Sequence, residues 1–375
     1  METLTAEHLE HHWALDNEAS QVLGERIDTS GQNGRIEDMV EGLDETAIIK
    51  RNKNRREIGR IFKRESNKGI IVIGPCSLDV GSDYGGLLDF IEEAQEANPD
   101  SVIAMRANPA KPRTGGGWTG LWYSTDPIAW QKITDTYQAA FNRGIPIVTE
   151  MTQETQLGAL APWLSGFWLG ARDIPSTTLR SVSSAYHLPV GVKNGTDGDP
   201  VVVENTIRAI SSNSKENKHS GADLGAIARA AEFPGIATGI VPVGEGNQEI
   251  AIFARGYEVP KDMPANMRRE RALGYISTLC SMGVRLDSAV LIDGTHDVPP
   301  MFDIGKKDPD RIVPVLHIIN EAVHNGEITD SGQLAGVIAE VSTTVGDTDP
   351  NYVLDTERKA VLSRLVGETV SMLSL

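Results

Sequence analysis

Between Met105 and Gly120 the chain reads MRANPAKPRTGGGWTG. Arg106, Lys111 and Arg113 stand close together there, followed by Gly115, Gly116 and Gly117. Pro112 biases Lys111 towards extended backbone. Side chains two apart on an extended segment point the same way, so Lys111 and Arg113 should converge on one space. The glycines let the backbone come close to a ligand and offer amide donors to it. A planar guanidinium fork and an ammonium point charge beside such a loop suit phosphate or carboxylate oxygens. A solvated basic loop would explain this stretch equally well if it stood alone. It does not stand alone, because other apolar runs in the chain end in the same way.

Those runs end, or lead directly, into Cys76 (in GPCS), Arg106, Glu150, Arg172, Lys193, Arg255, His296 (in DGTHD) and Glu340. Two chemical sets emerge. The first is cationic: Arg106, Lys111, Arg113, Arg172, Lys193 and Arg255. Each could be a salt bridge to a neighbouring helix, but Arg and Lys are almost never fully buried without partners. Gathered on one face they would repel one another unless anions sat between them, and two anionic groups would balance them. The second set is Cys76, His296 and Glu340, a sulfur, nitrogen and oxygen set suited to a divalent transition metal rather than to magnesium or calcium. Taken singly, Cys76 reads as a small packed hydrophobe, and His296 as a hydrogen-bonded core residue. A Cys-His hydrolytic pair is a further option, although it leaves the basic residues without a role.

The elements that would position these groups alternate regularly from Gly69 onward. Apolar runs at Ile70 to Gly74, Ser101 to Arg106, Ile145 to Glu150, Phe167 to Arg172, Leu188 to Lys193, Glu249 to Gly256, Ser288 to Asp293 and Leu334 to Glu340 read as strands. Amphipathic stretches such as LLDFIEEAQEA and NMRRERALGYISTLCSMG lie between them. Eight strand-helix units predict an α/β fold of the (β/α)8 TIM-barrel type over 69–375, with the catalytic face made by the loops after the strands. Ala237 to Gly244 has no helix of its own before Glu249 and reads as an inserted β-hairpin. Residues 1–68 read as an N-terminal helical extension. Its basic run ETAIIKRNKNRREIGRIFKRES is expected to be a solvated helix face or a subunit contact. A doubly wound open sheet is the competing architecture, weakened by the absence of a GxGxxG turn after the first strand.

Composition excludes several classes. The chain has 375 residues, 40% of them hydrophobic, and a net charge of -17, which argues against nucleic acid as the main partner. Two cysteines, Cys76 and Cys280, are too few for a disulfide framework. No apolar run is long enough to cross a bilayer, and the polar, acidic start resembles no signal or transit peptide. A cytoplasmic location without a membrane partner is expected.

The motifs GPCS, KPRT followed by GWTG, GAR, PVGVKNGTDG (Pro189 to Gly198) and FARG, in this order, resemble the microbial type I 3-deoxy-D-arabino-heptulosonate 7-phosphate (DAHP) synthases. The resemblance runs from about Arg35 to the C-terminus. It implies a metal-dependent barrel enzyme of the shikimate pathway, joining phosphoenolpyruvate to erythrose 4-phosphate with release of phosphate. By motif, Arg106, Lys111, Arg172, Lys193 and Arg255 would hold phosphoenolpyruvate. Lys111, Pro112, Arg113 and Thr114 would line the aldehyde site. Lys111, Lys193, Glu150 and His296 are the expected catalytic groups, with Glu150 or a lysine orienting the attacking water or relaying a proton. Cys76, His296, Glu340 and Asp355 would bind a divalent metal, manganese ahead of cobalt, iron or zinc, with Asp349 in reserve for the last position. Asp355 also reads as a helix cap. A homodimer or homotetramer is implied.

Departures from the family pattern gather on the acceptor side. Leu78 and Asp79 follow Ser77 where a His is usual, and GAR continues as DIPSTTLR rather than a TTESQ-like run. The metal-histidine segment reads DGTHDV, PGIATG (Pro234 to Gly239) stands where KWGHS is expected, and the Glu340 to Asp355 loop is short. A relative condensing phosphoenolpyruvate with an amino or deoxy sugar phosphate is therefore the alternative. Two others are a Schiff-base aldolase using Lys193 and a non-catalytic metabolite-binding regulator. Leu157 and His187 do not match the pattern associated with phenylalanine or tyrosine control, so weak or absent inhibition by those amino acids is expected.

Overall fold

The computed structural model describes residues 44–111, 120–186, 188–212, 246–257, 260, 262–295, 309–340 and 354–373. Arg113, Thr114, His187, His296, Asp349 and the expected hairpin Ala237 to Gly244 lie outside the described residues.

The strands are β1 (Gly69–Gly74), β2 (Ser101–Arg106), β3 (Ile147–Met151), β4 (Gly166–Leu169), β5 (Val190–Lys193), β6 (Ile250–Ala254), β7 (Ala289–Asp293) and β8 (Leu334–Glu340). They pair in sequence order, all parallel, and β8 returns to β1, so the sheet is a closed barrel. The described helices are α1 (Glu45–Phe62), α2 (Gly85–Ala97), α3 (Pro127–Arg143), α4 (Glu154–Leu160), α5 (Thr177–Ala185), α6 (Pro200–Ser211), α7 (Ala265–Leu286), α8 (Pro309–His324) and α9 (Thr356–Leu373). Local chemistry sets several of their ends. Asp126 and Asp199 accept backbone N–H bonds at the starts of α3 and α6, each with proline next. Gly144 closes α3 in the left-handed conformation at φ 76°.

Side chains alternate across these short strands, with one register shift where β7 pairs with β8, between Val290 and Leu291. One phase (Ile71, Ile73, Ile103, Met105, Ile147, Leu169, Val192, Ile252, Ile292, Val337) packs outward against the helices. The other (Ile70, Val72, Val102, Ala104, Val148, Trp168, Ala251, Phe253, Ala289, Leu291, Ile338) fills the barrel interior. Gly336 allows the closing strands to meet: a Cβ there would collide with the carbonyl oxygen of Ile70.

α1 refines one expectation. Lys50, Lys53, Arg56 and Arg60 of its basic run form a solvated face, as expected, but Ile58, Ile61 and Phe62 on the other face are fully buried within the barrel-interior cluster. Phe62 meets Phe253 edge-on at 6.2 Å, and Gly59 abuts the Glu249 carboxylate just before β6. The helix therefore plugs the end of the barrel at which the strands begin. Buried Arg55 donates to the carbonyls of Leu164 (2.7 Å) and Ala161, and Arg51 to that of Pro162. These two cations add donors to the carbonyls of the loop between α4 and β4.

Candidate active site

The inward phase continues beyond the apolar layers. Two residues past Ala104 comes Arg106; past Val148, Glu150; past Leu291, Asp293; past Ile338, Glu340. Lys193 lies on β5 two residues past Gly191, whose α-carbon faces the Phe253 ring, and Arg255 lies two past Phe253. The same alternation that builds the core thus ends in a ring of charged groups at the strand C-termini.

The ring is paired. Arg106, 1% exposed, places Nη2 3.1 Å from Glu340 Oε2 and 4.0 Å from Glu150 Oε2. Lys111 Nζ lies 3.5 Å from Glu340 Oε2 and 3.9 Å from Glu150 Oε2. Lys193 Nζ is 2.8 Å from Asp293 Oδ2, both buried. Trp168 forms the floor, its ring 5.6 Å from the Arg106 guanidinium and 5.4 Å from Lys193 Nζ, distances at which a cation is attracted to the ring face. From sequence, six cations needed anions from a ligand. Carboxylates of the chain itself are interleaved among three of them, so an incoming anion must draw Arg106, Lys111 and Lys193 away from Glu150, Glu340 and Asp293.

Buried polar groups hold this ring in place. Arg106 Nη1 donates to the carbonyls of Pro75 and Cys76 (2.7 Å), tying the GPCS turn to β2. Asn108 donates to Glu150 Oε2 at 3.2 Å and accepts from the Glu150 amide at 2.9 Å. Asn194 accepts from the Arg255 amide at 2.8 Å. Thr295 donates its amide to Asp293 Oδ1 (3.1 Å), and its hydroxyl accepts from the Glu340 amide (2.6 Å). Sequence reasoning missed Asp293, Asn108, Thr295, Trp168 and Asp173. For Asp293 the signal was present in its phase, two positions beyond an inward leucine.

On the β4 side, Arg172 is exposed and Asp173 half-buried in the turn that follows the strand. Burial, and then the nearby Glu150 carboxylate, push the Asp173 carboxyl up to about 7 against the opposing pull of Arg172. The other cysteine, Cys280, is buried in α7, and burial pushes its thiol up to about 12, which makes it inert.

Of the expected metal ligands, Cys76 and Glu340 are buried at the ends of β1 and β8, which pair with each other at Gly74 and Glu340. Thr295, the residue before His296, is bonded to the Glu340 backbone. A thiol, a carboxylate and the start of the imidazole-bearing segment thus come to adjoining strands, a donor set that fits a divalent transition ion. Asp355 stands at the start of α9, its side chain 52% exposed. It accepts from the Arg358 amide at 2.9 Å and pairs with the Arg358 guanidinium at 3.1 Å. Among the described residues, no three His, Cys, Asp or Glu groups form a metal cluster. Leu157 is buried in the outer core.

The profile of the DAHP synthetase I family matches residues 45–353. This chain belongs to that family. It is 35% identical over 168 residues to the tyrosine-inhibited phospho-2-dehydro-3-deoxyheptonate aldolase of Schizosaccharomyces pombe, covering 42% of this chain and 44% of that one. It is 31% identical over 166 residues to the Trp-sensitive phospho-2-dehydro-3-deoxyheptonate aldolase of Escherichia coli K12, covering 42% and 47%. The matched stretch spans about half the length of these curated relatives. A solved phospho-2-dehydro-3-deoxyheptonate aldolase from Francisella tularensis SCHU S4 superposes with a TM-score of 0.62 at 21% identity, covering 90% of this chain and 96% of that one. At that identity the likeness shows the shared barrel fold. No described helix is long and apolar enough to cross a membrane.

Proposed function

We propose that this chain is a DAHP synthase, condensing phosphoenolpyruvate with an aldose phosphate, erythrose 4-phosphate foremost, to give DAHP and inorganic phosphate. The observation that carries the proposal is the convergence of Arg106, Lys111 and Lys193 with Glu150, Asp293 and Glu340 on one barrel mouth. Phosphoenolpyruvate brings a phosphate and a carboxylate, each able to replace a protein carboxylate as partner of these cations. Arg106, Lys111, Arg172, Lys193 and Arg255 bind and orient it. Arg113 and Thr114 take the phosphate of the acceptor.

Carbon-carbon bond formation leaves negative charge on the acceptor oxygen and positive charge at C2 of the former enol. The cations that hold the substrate phosphate stabilise it as it leaves. Glu150, beside Arg106 and Lys111, orients the water that adds at C2 and accepts its proton; Lys111 or Lys193 supplies a proton to the acceptor oxygen. Cys76, His296, Glu340 and Asp355 would hold the metal, Asp355 exchanging Arg358 for it. When bound, a divalent metal supplies Lewis-acid polarisation of the acceptor carbonyl. The enzyme works in the cytoplasm as a homodimer or homotetramer.

The test is phosphate release from phosphoenolpyruvate, with added manganese, across a panel of aldoses and aldose phosphates. Turnover with erythrose 4-phosphate far above the rest is expected. Turnover confined to an amino or deoxy sugar phosphate would redirect the acceptor assignment, and no release with any aldehyde would overturn the proposal.

A further inference from the structure

Glu150 uses its two oxygens differently. Oε2 faces Arg106, Lys111 and Asn108. Oε1 turns instead towards Gly170, where a Cβ would collide with it and would also lie 2.8 Å from Asp173 Oδ2. The Asp173 amide donates to the Gly170 carbonyl at 2.9 Å, and the turn so formed folds the carboxyl back over the glycine. Asp173 Oδ2 is buried, with no hydrogen-bond partner among the described residues. Both carboxyl oxygens therefore lie within 2.8 Å of one position, that of the Cβ which Gly170 lacks.

We propose that Asp173 is a positioning residue for Glu150: the two carboxyls share one proton above Gly170, held on Asp173 Oδ2 and directed at Glu150 Oε1. The placement of the proton follows from the surroundings. Arg106, Lys111 and Asn108 favour the charged form of Glu150, whereas Asp173 is buried near Glu150 with Arg172 opposing it. With that proton in place, Glu150 is oriented and the mouth carries one negative charge on this side. Loss of the proton to solvent adds a second negative charge, which competes with an anionic substrate for Arg106 and Lys111. Binding of a dianion or trianion should draw the proton back from solvent onto Asp173. The inference rests on the proposed use of phosphoenolpyruvate and concerns a residue that the DIPSTTLR departure brings into this chain.

The experiment compares the protein as it stands with Asp173→Asn and Asp173→Ser, which remove the titrating group with and without the amide. For the unaltered enzyme, KM for phosphoenolpyruvate should rise about threefold to tenfold from pH 6.5 to 8.5, with kcat changing less. In both variants that rise should flatten. Calorimetry of phosphoenolpyruvate binding at pH 7.5, in buffers of different ionisation enthalpy, should show more proton uptake for the unaltered protein than for either variant. Identical KM profiles and identical proton uptake would overturn the inference. Absence of turnover at every pH would sink the proposed reaction instead, and the proton count on phosphoenolpyruvate binding would still decide the pairing.

Discussion

A buried charge acts through its partner, and Lys193 shows this most simply. Its ammonium lies against Asp293 in a place where neither could be left alone. Removing one member of such a pair costs about 3–5 kcal/mol because the other is left charged and desolvated. Lys193→Met should therefore lower the denaturation free energy by about that amount as well as abolish phosphate release. Adding Asp293→Asn should recover much of the stability and none of the activity. Unchanged urea midpoints in the single variant would mean that water reaches the pair. The same reasoning explains why six cations could not be understood one at a time from sequence. The alternation rule put Arg106 and Lys193 at strand ends, but their partners are supplied by β3, β7 and β8, distant in the chain.

Among the elements, α1 departs furthest from its sequence pattern. A run containing Lys50, Arg51, Lys53, Arg55, Arg56 and Arg60 reads as a water-facing helix, and four of these six do face water, yet the opposite face closes the barrel floor. The apolar residues that matter are few and lie at its end, Ile58, Ile61 and Phe62, and two of the arginines satisfy loop carbonyls. Phe62→Ala should cost about 3–5 kcal/mol by emptying the interior beneath Phe253, measured by chemical denaturation. A loss well under 1 kcal/mol would show that the plug contributes little. The eight strands, by contrast, were legible to within a few residues, because a strand buried on both faces is a short continuous apolar run whatever surrounds it.

For the molecule as a whole, closure of the sheet makes β1 and β8 neighbours, and this brings Cys76 and Glu340 to one side of the mouth. If that side holds a divalent metal, prolonged EDTA treatment should abolish phosphate release and manganese should restore it. Borohydride with phosphoenolpyruvate should trap no lysine adduct. Activity unaffected by the chelator, together with a Lys193 adduct, would favour Schiff-base chemistry.

From the chain alone came the number and order of the barrel strands, the motifs of the family, and the residues that end each strand. All of these depend on local periodicity and on short contiguous words, which neighbouring residues determine. Tertiary structure decided who faces whom: the carboxylates set among the cations, the Asp173 carboxyl turned towards Glu150, and the helix across the floor. Such pairings depend on strand register and on turns that bring distant segments within a few ångströms, and no pattern along a single segment encodes them.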